Sequence, residues 1–171
     1  MKPRPRQPRA FTLFEMVTVV LILGIIAAAL IPPLGNNIYS PRLRTAANVL
    51  AADVDYCASE SIAQPGSPRA ISFDLTNNKY SILDFNAASV INHPADSKPF
   101  TNDFATGRNL QLSGVKLKTV TSAGNNVTTV VFDAYGRPLL SADLVVTLLY
   151  NAQTLTLTIK YTTGDVSISG G

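Results

Sequence analysis

The chain has 171 residues, of which 46% are apolar and only 15% charged, with one cysteine and one histidine. A lone cysteine excludes an intramolecular disulfide, and one His with one Cys excludes a clustered His/Cys zinc site. The formal charge of +3 is concentrated in the first ten residues, where Lys2, Arg4, Arg6 and Arg9 stand without an acid, so the remainder lies near neutrality and lacks the basic footprint of a nucleic-acid binder.

Residues 1–10, MKPRPRQPRA, hold three prolines among four cations and read as an extended, soluble leader. The text then changes abruptly. From Phe11 to Ile31 it is apolar apart from Glu15 and two threonines. As a helix this run spans roughly 30 Å, about the thickness of a bilayer core. The cations before it keep the N-terminus on the cytoplasmic side and send the rest outward. Glu15 is the informative residue, because a carboxylate four residues into a membrane helix costs on the order of a few kcal/mol unless it is paired, snorkels or is protonated. A second reading stays open at this point. Ala27-Ala28-Ala29 suits an A-x-A site for ordinary signal peptidase, which would free a soluble secreted protein. An acid inside the apolar region and the continuation into a second helix argue against it.

The segment Arg9-Ala10-Phe11-Thr12-Leu13-Phe14-Glu15 resembles the prepilin peptidase site of type IV pilins and type II secretion pseudopilins. That pattern is a basic leader, a small residue, then Phe-Thr-Leu-x-Glu before an apolar run. The resemblance implies cleavage between Ala10 and Phe11, methylation of the new amine of Phe11, and an assembly role for Glu15. Gly24 and Pro32 fall where many pilins have a helix-loosening glycine and proline. One position departs: the family has Gly before the cut where this chain has Ala10, the next smallest residue, and slower cleavage is the expected consequence. The partners implied are a prepilin peptidase, other pilins or pseudopilins, and their assembly platform. The implied location is the bacterial inner membrane, crossed once, with a cytoplasmic N-terminus and a periplasmic head.

Pro32-Pro33 and Gly35 are expected to bend or open the helix beyond the apolar run. Helical character resumes after Ser40, an N-cap with Pro41 at the first helical position. Leu43, Ala47, Leu50, Val54 and Cys57 then form one apolar stripe at helical spacing, flanked by charged residues. The helix should end near Gln64, before Pro65-Gly66. Cys57, on the stripe, reads as a small buried residue. The expected organisation is a leader (1–10), a transmembrane helix (11–34), a helix leading into the head (35–64) and a β-rich periplasmic head (65–171).

In the head, Ile71, Phe73 and Leu75 alternate with polar residues, and Thr76-Asn77-Asn78 turns into Tyr80-Ser81-Ile82. Residues 86–108 read as a long irregular loop. Strands are expected at Leu110–Leu112, at Val115–Val120 (with Lys116 and Lys118 on one face) and at Val127–Asp133. Leu144–Tyr150 is nearly all apolar, as for a strand covered on both faces. Leu155, Leu157, Ile159 and Tyr161 alternate with threonines and a lysine, joined to the preceding strand through Asn151-Ala152-Gln153 as a hairpin. Gly164-Asp165 turns into Val166–Ile168. A helix followed by antiparallel strands implies an α+β head in which the sheet covers the apolar stripe. Within the pilin group the order is similar to the GspH/FimT minor subunits, through Ala58–Ala63, the Val131-Phe132 and Gly136 segment, and a closing hairpin with Gly164.

No catalytic residue, metal or cofactor is expected. His93 is the sole imidazole and sits before Pro94 in the irregular loop, where it reads as an exposed loop histidine without a nucleophile pattern. No glycine-rich phosphate loop or calcium loop is present, and the Asn126-Val127-Thr128 sequon is too common a pattern to carry weight. The leading reading is a minor pseudopilin or pilin subunit serving type II secretion, near the filament tip. Two alternatives remain: a FimT-like DNA-binding minor pilin, and the secreted soluble protein. The first needs clustered cations at the exposed end, but Gly164–Gly171 carries Asp165 and no Lys or Arg.

Overall fold

The computed structural model describes residues 12–30, 41–104 and 106–170. The chain divides into two compact units, residues 1–38 and 39–171. The first contains α1 (Leu13–Leu30). The second opens with α2 (Pro41–Ala63) and continues into strands. The expected break between residues 34 and 35, with Pro32, Pro33 and the Ser40 cap, lies outside the described residues.

The chain is α+β. β1 (Arg69–Asp74), β2 (Lys79–Asp84), β3 (Ser89–Val90), β4 (Thr101–Asp103) and a 3₁₀ turn (Gly107–Leu112) come first. β5 (Lys116–Ser122), β6 (Asn125–Asn126), β7 (Thr129–Val131), β8 (Leu144–Tyr150), β9 (Gln153–Ile159) and β10 (Val166–Gly170) follow. They build two sheets where one was expected. The first runs β3-β2-β1-β7, with β4 also on β2, and the second runs β10-β9-β8-β5-β6. Every strand pairing is antiparallel.

α2 packs on both sheets, touching β1 in one and β8, β9 and β10 in the other. Its stripe of Leu43, Ala47, Leu50, Val54 and Cys57 is buried as the spacing predicts, and Ala46 and Ser61 join it. The small residues let the helix lie close to the strands, and the larger volume comes from across the interface: Tyr80, Phe100, Phe104 and Phe132 are all fully buried. Cys57 is completely buried, and burial pushes its thiol up from the ordinary value. A thiol reagent should therefore label Cys57 only through unfolding. The expected labelling rate in native conditions is slower than in urea by roughly three orders of magnitude or more. Fast labelling of the native chain would show that α2 lifts off the sheets.

Two buried polar clusters tie the helix down. Tyr80 Oη donates to Asp53 Oδ2 at 2.6 Å, the Asn102 amide donates to the same carboxylate, and Asn109 Nδ2 donates to Asn102 Oδ1 at 3.2 Å. At the other end of α2, the buried Arg69 guanidinium donates to Asp84 Oδ2 at 2.8 Å and Gln64 Oε1 at 2.7 Å. The contacts of Asp53 with Tyr80 and Asn102, and of Arg69 with Asp84, join residues 15 to 49 apart in sequence, so no local pattern announces them.

Several strand assignments shift. Leu110–Leu112 is not a strand but the end of the 3₁₀ turn. A strand would place Leu110 and Leu112 on one face, whereas the turn buries Asn109 and Leu112 and leaves Leu110 65% exposed. The segment 86–108 is more regular than expected. It contributes β3 and β4, and Asn92 bridges Pro99 between them. Of the expected strand Val127–Asp133, Thr129–Val131 forms β7, and the residues just before it cross from one sheet to the other: Val127 N–H donates to Val120 O in the second sheet, and Phe73 N–H in the first donates to Thr128 O. β8 buries Leu144, Val146 and Leu148, whereas Val145, Thr147 and Leu149 are only half-buried, so its second face is partly open. Its Val and Leu suit a pleated, half-covered surface as well as a fully covered one. β9 stops at Ile159, because Gly164 N–H donates to Lys160 O and Lys160 N–H to Asp165 O, which closes a turn and leaves Tyr161 exposed. Leu75 likewise lies past the end of β1 and is exposed. Gln153 belongs to β9 opposite Tyr150, so the β8–β9 loop is Asn151-Ala152 alone, both at positive φ as a type I′ turn requires.

Candidate functional site

α1 is apolar on every side. Its described side chains, Leu13 to Ile26, are all exposed in the isolated chain, and no polar face interrupts them. A helix of that kind is made to be covered by something other than water. Its 18 residues give a length of about 27 Å, a little less than a hydrocarbon core of about 30 Å. Among the described residues no helix is long and apolar enough to cross a membrane. Phe11 and Ile31, the ends of the apolar run, lie outside them, as does Ala10.

The polar groups of α1 are gathered at its first turn. Thr12 precedes the helix, and its carbonyl accepts the first helical bond, from Met16 N–H at 3.2 Å. Glu15 N–H donates to Thr12 Oγ1 at 3.2 Å, while Thr12 N–H donates to Glu15 Oε2 at 3.1 Å. This reciprocal pair is a capping box, with Thr12 as N-cap and Glu15 three residues on. The Thr12 hydroxyl closes it by donating to the same Oε2 at 3.1 Å. The negative end of the side chain also faces the positive end of the helix dipole. Reasoning from the acid alone missed this, although Thr-x-x-Glu before an apolar run is itself a helix-start signal. The other threonine, Thr18, turns inward and donates to Phe14 O at 2.8 Å, so it too is satisfied within the helix. α1 passes through Gly24 without a break, and a Cβ there would meet nothing within 4 Å. Ala27-Ala28-Ala29 lies within the helical span.

The head offers little to chemistry. His93 is half-buried rather than exposed, with its ring 4.4 Å from that of Phe100. Its Nδ1 accepts the Ala95 N–H at 3.1 Å, and Asp96 Oδ1 approaches it at 3.9 Å. Among the described residues no three His, Cys, Asp or Glu side chains gather as a metal site. One cleft of about 530 Å³ opens between Lys79, Lys98, Asp96, Asp103 and Asn109, with mixed charge at its walls. Lys116 and Lys118 are both exposed on β5, but Lys118 is the extra residue of a β-bulge, since the register jumps between Leu117 and Thr119. Lys160 is held by Asp143 at 2.7 Å and Arg137 by Asp133 at 2.8 Å, so neither adds a free cation to the tail.

The matches with known proteins fall on the same two features. Residues 5–31 match the family of the prokaryotic N-terminal methylation motif. No curated protein matches the chain significantly in sequence. Among solved structures, the type IV minor pilin FimU of Pseudomonas aeruginosa (strain PAO1) is similar over 74% of this chain and 87% of its own, at 19% identity and a TM-score of 0.54. The minor pseudopilin EpsH from the Type 2 Secretion System of Vibrio cholerae is similar over 75% of this chain and 97% of its own, at 10% identity and a TM-score of 0.55. At these identities the likeness is one of fold. The chain thus carries the prokaryotic N-terminal methylation motif ahead of a head that is similar in fold to a type IV minor pilin and a minor pseudopilin.

Proposed function

We propose that the chain is a minor subunit of a short periplasmic filament, a pseudopilus of the type II secretion kind. In this reading a prepilin peptidase cuts between Ala10 and Phe11, and the new amine of Phe11 is methylated. The apolar helix then holds the subunit in the inner membrane, with the head in the periplasm, until other pilins and the assembly platform withdraw it. Gly24 and Pro32 loosen the helix so that it can bend on the way out. The observation that carries the reading is the placement of Glu15: one acid in the first turn of a helix that is otherwise apolar on all sides, inside the stretch that matches the methylation motif. A signal peptide has no use for such an acid, whereas a filament built from parallel helices can pair it with a neighbour.

The fold and the motif are those of structural subunits, so the role proposed is assembly and not catalysis. Of the two settings represented among similar folds, secretion and pili, the absence of a cationic end in β10 favours the first over DNA uptake, because phosphate binding needs clustered Lys or Arg.

Mass spectrometry of the mature protein tests the reading directly. The expected N-terminus is Phe11, with one added methyl group. A chain starting at Leu30 would instead identify a secreted protein released by signal peptidase. Ala10→Asp should leave the uncut precursor in the membrane, because the position before the cut reads as requiring a small side chain.

A further inference from the structure

We propose that Thr12 is the positioning residue of Glu15. It locks the carboxylate into the capping box at the head of α1, so that a neighbouring subunit meets the acid in one fixed orientation. The inference rests on the reading of Glu15 as an assembly residue. It goes beyond it by assigning the hydroxyl of Thr12 a part that is not helix propensity.

The geometry gives the hydroxyl two simultaneous duties. Its lone pair takes the Glu15 N–H at 3.2 Å, and its proton goes to Glu15 Oε2 at 3.1 Å. The Thr12 N–H reaches the same oxygen at 3.1 Å. Glu15 is therefore tied at both its backbone and its side chain to one residue, and the side chain folds back onto the Thr12 backbone N–H. Both bonds fall on Oε2, and among the described residues none falls on Oε1, the oxygen that would meet an incoming donor. A free glutamate would have to give up its rotamer freedom on pairing, whereas this one has done so in the lone subunit, and such preorganisation strengthens association without adding a contact. The same bonds give the carboxylate partners while the helix is still alone among apolar surroundings.

Two substitutions separate the hydroxyl from its shape. Thr12→Val keeps the branched side chain and removes both hydroxyl bonds; Thr12→Ser keeps the hydroxyl. They are made in the full-length chain, expressed with its partner pilins, and recovery in the partner complex is counted per cleaved subunit, because Thr12 lies two residues after the cut. Hydrogen exchange at the Glu15 amide is followed on the same proteins in detergent. The expected result for Thr12→Val is exchange about fivefold faster and recovery about fivefold lower, from the usual strength of an N-cap, with Thr12→Ser close to the parent in both. Equal exchange in Thr12→Val and the parent overturns the capping box. Faster exchange with unchanged recovery, or a Thr12→Ser variant as defective as Thr12→Val, overturns the positioning role. Failure of the underlying reading looks different: Glu15→Ala would then assemble normally, while the exchange at residue 15 in Thr12→Val would still report on the cap.

Discussion

Gly164→Ala is expected to destabilise the head by about 3 kcal/mol or more. Two costs combine. Gly164 lies at φ +82°, where an alanine is strained by roughly 1 kcal/mol. A Cβ built there would stand 2.4 Å from the carbonyl oxygen of Gly136, a backbone atom. That oxygen cannot step aside easily. Gly136 N–H donates to Asp133 O at 3.0 Å, Arg137 N–H donates to Asp133 Oδ1 at 2.9 Å, and the Arg137 guanidinium holds Asp133 Oδ2. The loop also rests on α2 through Ile62 and Ala58, which lie beside Gly136. Gly136→Ala should cost less, about 1–2 kcal/mol, although φ is +76° there too, because the obstacle is the Cδ1 of Ile62 at 2.9 Å, the far end of a flexible side chain. Urea unfolding of the purified variants, with Cys57 labelling as the reporter, gives both values. Equal midpoints for Gly164→Ala and the parent would show that the loops after β7 and β9 part without strain, and that the close approach is not structural.

That contact also explains how a loose sequence feature acquires a physical meaning. Gly136 and Gly164 are 28 residues apart, one read as the end of the Val131-Phe132 segment and the other as a turn glycine. In the fold they form one site, where two loops cross and neither has room for a Cβ. What was legible was whatever a short window can hold. The α2 stripe follows from spacing alone, and the β8–β9 hairpin follows from alternation on both sides of a tight turn. What was not legible depends on partners outside the window. Residues 125–131 leave one sheet for the other, and alternation is the same in either. The Asp53–Tyr80–Asn102 cluster needs a helix and two strands before it exists. At the candidate site the reverse occurred: Thr12 and Glu15 are three residues apart and their capping box was open to inspection, but an acid in an apolar run draws attention to charge and away from the helix start it also makes.

Glu15→Ala should be inserted and cut normally, yet recovered with partner pilins at least about tenfold less than the parent, the equivalent of about 1.4 kcal/mol in association. Insertion cannot account for such a loss, because removing the acid makes the helix more apolar. Cleavage cannot account for it either if the peptidase reads chiefly the residues beside Ala10, and a cleavage assay on the same variant checks this. What remains is the pairing of the acid with the amine that cleavage creates on a neighbour. In a low-dielectric filament each charge is costly alone and offsets the other only in the correct stagger, so the pair acts as a registry device, and deleting one member strands its partner. Glu15→Gln sharpens the test. Glutamine occupies the third position of a capping box as glutamate does, so it retains the cap and loses only the charge. Thr12→Val does the reverse. If charge pairing sets the register, Glu15→Gln fails to assemble as Glu15→Ala does, despite an intact first turn. If Glu15→Gln assembles like the parent, the amine is not the partner, and the residue acts through its hydrogen bonds to Thr12 alone.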